Sequence, residues 1–154
     1  MDCAGHGTHV SGIVSANALN GSSPLPFAGV APGITIRAYK VFGCEGTTSS
    51  DAIANALAMA VSDKVNIISV SISGPSGWSE DGAAVLMSRI AEKGIFVSVA
   101  AGNFGQEGTF YGGAPASGLN VASVASVDST HLVAFSVKTK DGSQIVSPRE
   151  DRGG

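Results

Sequence analysis

The sequence predicts an α/β fold, a mainly parallel sheet flanked by helices, on three observations. Helical periodicity alternates with short apolar runs between residues 51 and 101, and the links are short, which within one sheet means parallel crossovers. Gly supplies 21 of the 154 residues, about twice its usual share of roughly 7%, and that suits tight strand-to-helix turns better than a helical bundle. Hydrophobic residues make up 44% and charged residues 14%, enough apolar material for a buried core and too little charge for a disordered chain.

Residues 6–17 place Val10, Ile13 and Val14 at i, i+3, i+4 spacing on one helical face, a stripe expected to be buried. Residues 17–33 carry Gly21, Pro24, Pro26, Gly29 and Pro32 and read as a loop. Residues 34–42 alternate and are rich in β-branched and aromatic side chains, which predicts a strand ending at Gly43. Thr47, Thr48, Ser49, Ser50 and Asp51 are capping residues ahead of Ile53, Leu57, Ala60 and Val61, so a second helix starts there. The nearly continuous apolar run 65–72, closed by Ser73-Gly74-Pro75, predicts a strand covered on both faces. Residues 80–93 repeat the helical pattern through Ala83, Leu86, Met87 and Ile90, with acidic residues first, Arg89 and Lys93 last, and Gly94 as the stop. Residues 95–101 predict another buried strand, 120–127 a further one and 131–137 a last. Residues 138–154 are polar and are expected to form a poorly ordered tail, which leaves 1–137 as the folded domain, without an internal repeat.

A net charge of −3 without a basic stripe gives no electrostatic footprint for nucleic acid. No apolar run reaches the roughly 18 residues a membrane span needs, so neither nucleic acid nor membrane is an expected partner. Met1 is followed by no charged leader or apolar signal core, so no targeting segment is read in the chain. Cys3 and Cys44 are too few for a disulfide scaffold and are read as a free, buried or half-buried pair. Asn20-Gly21-Ser22 is a sequon in a turn-rich segment, compatible with a secretory route.

Chemistry concentrates in two segments. Gly5-His6-Gly7-Thr8-His9-Val10-Ser11-Gly12 displays a histidine between glycines at a helix start, with space around the imidazole. The positive end of the helix disfavours the cationic ring and keeps it receptive to a proton. Ala100-Ala101-Gly102-Asn103 ends a buried strand on a carboxamide, a side chain able to donate to an oxyanion with little reorganisation. Together these segments resemble the histidine and oxyanion motifs of the subtilisin-like serine peptidases, and the likeness covers roughly residues 2–128.

The resemblance implies a partial three-layer subtilisin-like fold and, for the intact protein, a secreted, extracellular serine endopeptidase acting on polypeptides in extended conformation. It assigns His6 as the base that takes the proton of a nucleophilic serine, and Asn103 as the oxyanion donor. Ser71, Ile72, Ser73 and Gly74 are similar to the family's substrate-binding strand, to which a peptide adds along its backbone. Ala100, Ala101 and Gly102 would wall the pocket for the principal side chain, and Ser73 stands where glycine is usual, narrowing the mouth. His9 is implied to pack or to hydrogen-bond. Cys3 and Cys44 occupy places similar to those of larger fungal and bacterial members.

The family's Asp-Ser/Thr-Gly segment and its Gly-Thr-Ser-Met/Ala nucleophile segment are both missing. The chain therefore reads as an internal stretch of a catalytic domain, inactive alone; the alternative is a noncatalytic peptide-binding pseudo-peptidase. Cutting such a sheet through its middle is also expected to leave open edges that compromise solubility. Asp2 lies four residues before His6 and reads as a capping or surface group, while Asp51, Asp63, Asp81, Asp128 and Asp141 lack the triad context. Gly46-Thr47-Thr48-Ser49 looks faintly like the nucleophile motif but is explained by helix capping. Cys3, His6 and His9 are metal-ligand types at the wrong spacing, so no metal site is assigned. No cofactor is required; calcium, common in the family, is left to the intact member, since residues 17–33 hold no acidic side chain.

Overall fold

The computed structural model describes residues 1–17, 27–128, 130 and 134–148. Its centre is a three-stranded parallel sheet, β1 (Ile67–Val70), β2 (Phe96–Ala100) and β3 (Ala122–Val124), in that spatial order. The strands predicted at 65–72, 95–101 and 120–127 are each present but shorter than their apolar runs, because a ladder persists only while a neighbour runs alongside. Helix α2 (Ser50–Ser62) begins where the capping cluster predicts: the Ser49 hydroxyl accepts from the Ala52 N–H at 3.2 Å. Helix α3 (Gly82–Glu92) is capped by the Asp81 carboxylate, which accepts from the Ala83 N–H at 3.0 Å. It stops before Gly94, whose φ of 89° is the left-handed conformation that glycine adopts without strain.

Alternation along the strands sorts their side chains onto two faces. Ile68, Val97 and Val99 turn toward the helices and are buried with Leu57, Ala60, Met87 and Ile90, Met87 being 0% exposed at the centre. On the other face Ile67 is 63% and Phe96 58% exposed. The expectation of strands covered on both faces is therefore corrected. Helices α2 and α3 pack against each other on one side, and among the described residues no element forms the layer opposite. Two of three layers are present.

Helix α1 (His6–Ser15) forms as predicted, yet none of its residues is buried and Ile13 is 48% exposed. The expected burial of its apolar stripe is not realised, because α1 has no substantial interface with the sheet or its helices. The backbone of 29–31 holds it instead: Gly29, Val30 and Ala31 N–H groups donate to the carbonyls of Ala16, Ile13 and Val14 at 2.7, 3.1 and 2.8 Å. A Cβ on Gly29 would lie 2.4 Å from the Ser15 nitrogen, so only glycine permits this approach. A Cys3–Cys44 disulfide provides the second tie, correcting the free-pair reading. Both cysteines are exposed, and closing a loop of sequence separation 41 restricts the unfolded chain by about 4 kcal/mol in the chain-entropy account.

The predicted strand at 34–42 is not formed. Its residues enter no ladder, and Ile34 and Ile36 are 51% and 39% exposed. Alternation supplies propensity, but a strand also needs a partner, and none of the described strands pairs with it. Tyr39 alone reaches the core's margin. Its hydroxyl donates to the Asp63 carboxylate at 2.6 Å beside the Arg37–Asp63 ion pair at 3.2 Å; the first contact lowers the Asp63 pKa and raises that of Tyr39.

The strand expected at 131–137 is present over its described residues, and it is beyond residue 137 that the structure departs from expectation. Strands β4 (Ala134–Lys138) and β5 (Gln144–Pro148) pair as an antiparallel hairpin, so 138–148 of the anticipated disordered tail are in or next to a ladder. Polar composition concealed a hairpin signal, Asp141-Gly142, whose glycine has φ 88°. The Asp141 carboxylate accepts from the Thr139 hydroxyl and from the hydroxyl and N–H of Ser143, which holds its pKa at about 2. The sequon at Asn20 and residues 131–133 and 149–154 lie outside the described residues.

A one-sided core makes an asymmetric prediction. Met87→Ala is expected to lower the unfolding free energy by about 2–5 kcal/mol, and Ile67→Ala, on the open face, by less than about 0.5 kcal/mol. Urea denaturation followed by circular dichroism compares the two.

Candidate functional site

Parallel pairing is what assembles the site. Val70 is registered against Val99, so the residues leaving β1, Ser71 to Gly74, emerge beside those leaving β2, Ala101 to Asn103. Carboxyl ends of neighbouring parallel strands are where open α/β sheets bind ligands. Contact between the two segments is direct: a Cβ built on Gly102 would lie 2.8 Å from the Ser73 Oγ. Gly102 also has φ 109°, so this position is closed to other residues on both counts. Asn103 follows it and is exposed.

A third segment completes the cradle. After the 3-10 turn Gly105–Glu107 the chain folds back, and Gly74 and Ala114 exchange hydrogen bonds, Gly74 N–H to Ala114 O at 2.8 Å and Ala114 N–H to Gly74 O at 3.1 Å. The Gly113 N–H donates to the Ala101 carbonyl at 3.1 Å. Gly113 and Ala114 were missed in the sequence, where Gly112-Gly113 ahead of Pro115 was the available signal of a close backbone approach. An open cleft of about 180 Å³ borders Ala101 and Gly113, with Ser117 and Ser123 in its wall.

His6 opens α1 on a loop that is held from below. Gly5 precedes it with φ 77°, and the Asp2 carboxylate accepts from the Gly5 N–H at 3.0 Å, the Thr8 N–H at 2.8 Å and the Thr8 hydroxyl at 2.7 Å. Asp2 is thus the capping group expected of it. The Thr8 hydroxyl, then the Thr8 N–H, lowers the Asp2 pKa from its ordinary value. His6 and His9 are both exposed, so His9 is not packed. With Cys3 in the disulfide, the Cys3/His6/His9 grouping offers no thiolate, and among the described residues no group of three or more His, Cys, Asp or Glu side chains gathers as a metal site.

Four of the other carboxylates and hydroxyls considered in the sequence take structural roles. Ser49 caps α2, Asp81 caps α3, Asp63 binds Arg37 and Tyr39, and Asp141 organises the hairpin turn. The structure therefore brings together Ser71, Ile72, Ser73, Gly74, Ala100, Ala101, Gly102 and Asn103, and leaves His6 on a helix with no substantial interface to β1 or β2. No helix among the described residues is long and apolar enough to cross a membrane.

A parallel sheet with small residues at its carboxyl ends and a capped histidine loop defines an α/β protein with a candidate site at the carboxyl ends of its strands. The sequence profile of the subtilase family matches residues 1–148, and the chain belongs to that family. It is 39% identical over 154 residues to the major intracellular serine protease of Bacillus subtilis, covering 97% of this chain and 46% of that protein. Subtilisin E of the same species is 34% identical over 132 residues, 85% of this chain and 33% of the relative. Subtilisin-like protease SBT1.7 of Arabidopsis thaliana is 39% identical over 110 residues, 68% of this chain and 14% of the relative. The chain thus spans less than half the length of these relatives.

Removing the Asp2 carboxylate releases the loop that carries His6. Asp2→Ala is expected to speed hydrogen exchange at the Gly5 and Thr8 amides while leaving exchange in β2 unchanged. Because folding lowers the Asp2 pKa, its contribution is complete above the ordinary carboxylate value and is lost as pH falls through the depressed one. NMR titration of the Asp2 carboxyl carbon should give a midpoint below 3.8.

Proposed function

We propose that these residues form part of a serine endopeptidase that binds extended polypeptides, with His6 as the proton-transfer base and Asn103 as the oxyanion donor. The observation that carries the reading is the juxtaposition of Ser71 to Ser73 with Ala100 to Asn103 at the carboxyl ends of β1 and β2, in a chain of the subtilase family. A substrate strand lies along Ser71 to Ser73; the Gly74 backbone is already engaged by Ala114 and contributes shape instead of hydrogen bonds. The scissile carbonyl then falls next to Asn103.

In the reaction His6 accepts the proton of a serine hydroxyl as that oxygen attacks the carbonyl carbon, and returns it to the departing amine. The charge that builds on the carbonyl oxygen is met by the Asn103 side-chain N–H. That serine, and the aspartate that would orient His6, are not found by motif in the 154 residues. The complete enzyme is proposed to act outside the cell on protein substrates, with calcium confined to loops other than 17–33.

Residues 1–154 alone are expected to show no hydrolysis of a chromogenic peptide and no labelling by a fluorophosphonate. Turnover or labelling above that of a His6→Ala control contradicts this. Where the same residues stand with a nucleophile, Asn103→Ala is expected to lower kcat about 10²–10³-fold, a magnitude taken over from the oxyanion asparagine of a subtilisin and not calculated for this chain. The second reading is a noncatalytic peptide binder; peptide binding without a hydrolytic parent protein supports it.

A further inference from the structure

Among the described residues two ties hold helix α1, and one of them is chemically reversible. The Cys3–Cys44 bond joins the loop ahead of His6 to the turn ahead of α2, across a sequence separation of 41. Every residue from Met1 to His9 and from Phe42 to Thr47 is exposed, so neither flank of the bond is packed in the interior. An attacking thiolate has open access. The hydrophobic core draws on nothing before Tyr39, which packs on its margin, and its buried members run from Leu57 to Ala116. Breaking the bond therefore leaves the core's contacts in place. What remains for α1 is the backbone tie of Gly29, Val30 and Ala31 to the carbonyls of Ala16, Ile13 and Val14, since the helix has no substantial interface with the sheet or its helices.

We propose that the Cys3–Cys44 bond is a redox switch on the order of α1: an external dithiol opens it and loosens the helix that carries His6, and reoxidation docks the helix again. In the forward step one thiolate of the dithiol attacks a sulfur of the pair, the Cys3–Cys44 S–S bond breaks, and a mixed disulfide forms. The second thiol of the reductant then displaces it, so that Cys3 and Cys44 end as thiols and the dithiol as its own disulfide, with two electrons and two protons transferred. Exposed disulfides are the labile class in such exchange. Each end keeps its local structure when the link is lost. The Asp2 carboxylate still gathers the Gly5 and Thr8 donors, and the turn at Cys44 keeps its Gly43 N–H to Thr47 O and Thr48 hydroxyl to Val41 O hydrogen bonds. Reduction thus acts on the connection between two folded pieces. Its bearing on catalysis rests on the reading of His6 as the base, whereas its effect on the order of α1 does not.

The experiment uses the full chain, dithiothreitol as the dithiol and no denaturant. Mass spectrometry after maleimide treatment is expected to show both cysteines labelled, and NMR hydrogen exchange at the Gly29, Val30 and Ala31 amides is expected to rise at least about tenfold. Exchange at Val97 and Val99 in β2 should stay unchanged, and oxidised glutathione should restore the slow rates at 29–31. A Cys3→Ser/Cys44→Ser double variant should show the fast rates at 29–31 with or without dithiothreitol, which separates loss of the bond from any other effect of the reagent. Three results overturn the inference: thiols that become labelled only in denaturant, exchange at 29–31 that is unmoved by reduction, or exchange in β2 that rises equally, which would make the bond a staple of the whole fold. None of them bears on His6 as a base, which the His6→Ala comparison tests separately.

Discussion

Two parallel strands paired in one register govern everything else in this molecule. Because Val70 faces Val99, the chain leaves β1 and β2 at the same end of the sheet, and residues far apart in sequence, such as Ser73 and Gly102, come into van der Waals contact. The register is in turn pinned by burial. A slip of one residue would carry Ile68, Val97 and Val99 from the core packed on Met87 to the open face. The hydrophobic effect thus sets the site's geometry indirectly, by fixing which residues stand at the strand ends.

Glycine then decides how closely those ends approach. Gly102 and Gly113 leave room for one hydroxymethyl group between them, and Ser73 supplies it. Around this cradle the remaining polar groups are local devices. Asp2 gathers three donors under the His6 loop, Ser49 and Asp81 start their helices, and Asp141 closes a hairpin turn.

What could be read in advance follows a physical line. Elements specified by their own residues were legible: the caps at Ser49 and near Asp81, the stop at Gly94 and the apolar runs of β1 and β2. So were the helix start at His6 and the strand end at Ala100, because the glycines and alanines there have local conformational reasons. Features that depend on a partner elsewhere were not. Among the described residues, 34–42 carry strand propensity without a ladder partner, α1 has an apolar stripe with no strand or helix packed substantially on it, and the face of Ile67 and Phe96 lacks a covering layer. Gly113 and Ala114 enter the site only through a bridge to Gly74 that no local pattern announces. The second strand of the hairpin, β5, was hidden by its polar composition, although Asp141-Gly142 announced the turn.

The most direct test of this account is an NMR titration of the isotopically labelled chain with an unlabelled extended alanine-rich peptide. Amide resonances of Ser71, Ile72 and Ser73 should shift together with those of Ala101, Gly102 and Asn103, while those of the hairpin β4–β5 stay in place. Shifts confined to the open face around Ile67 and Phe96, with the strand ends unmoved, would contradict the assignment of the binding edge to the carboxyl ends of β1 and β2.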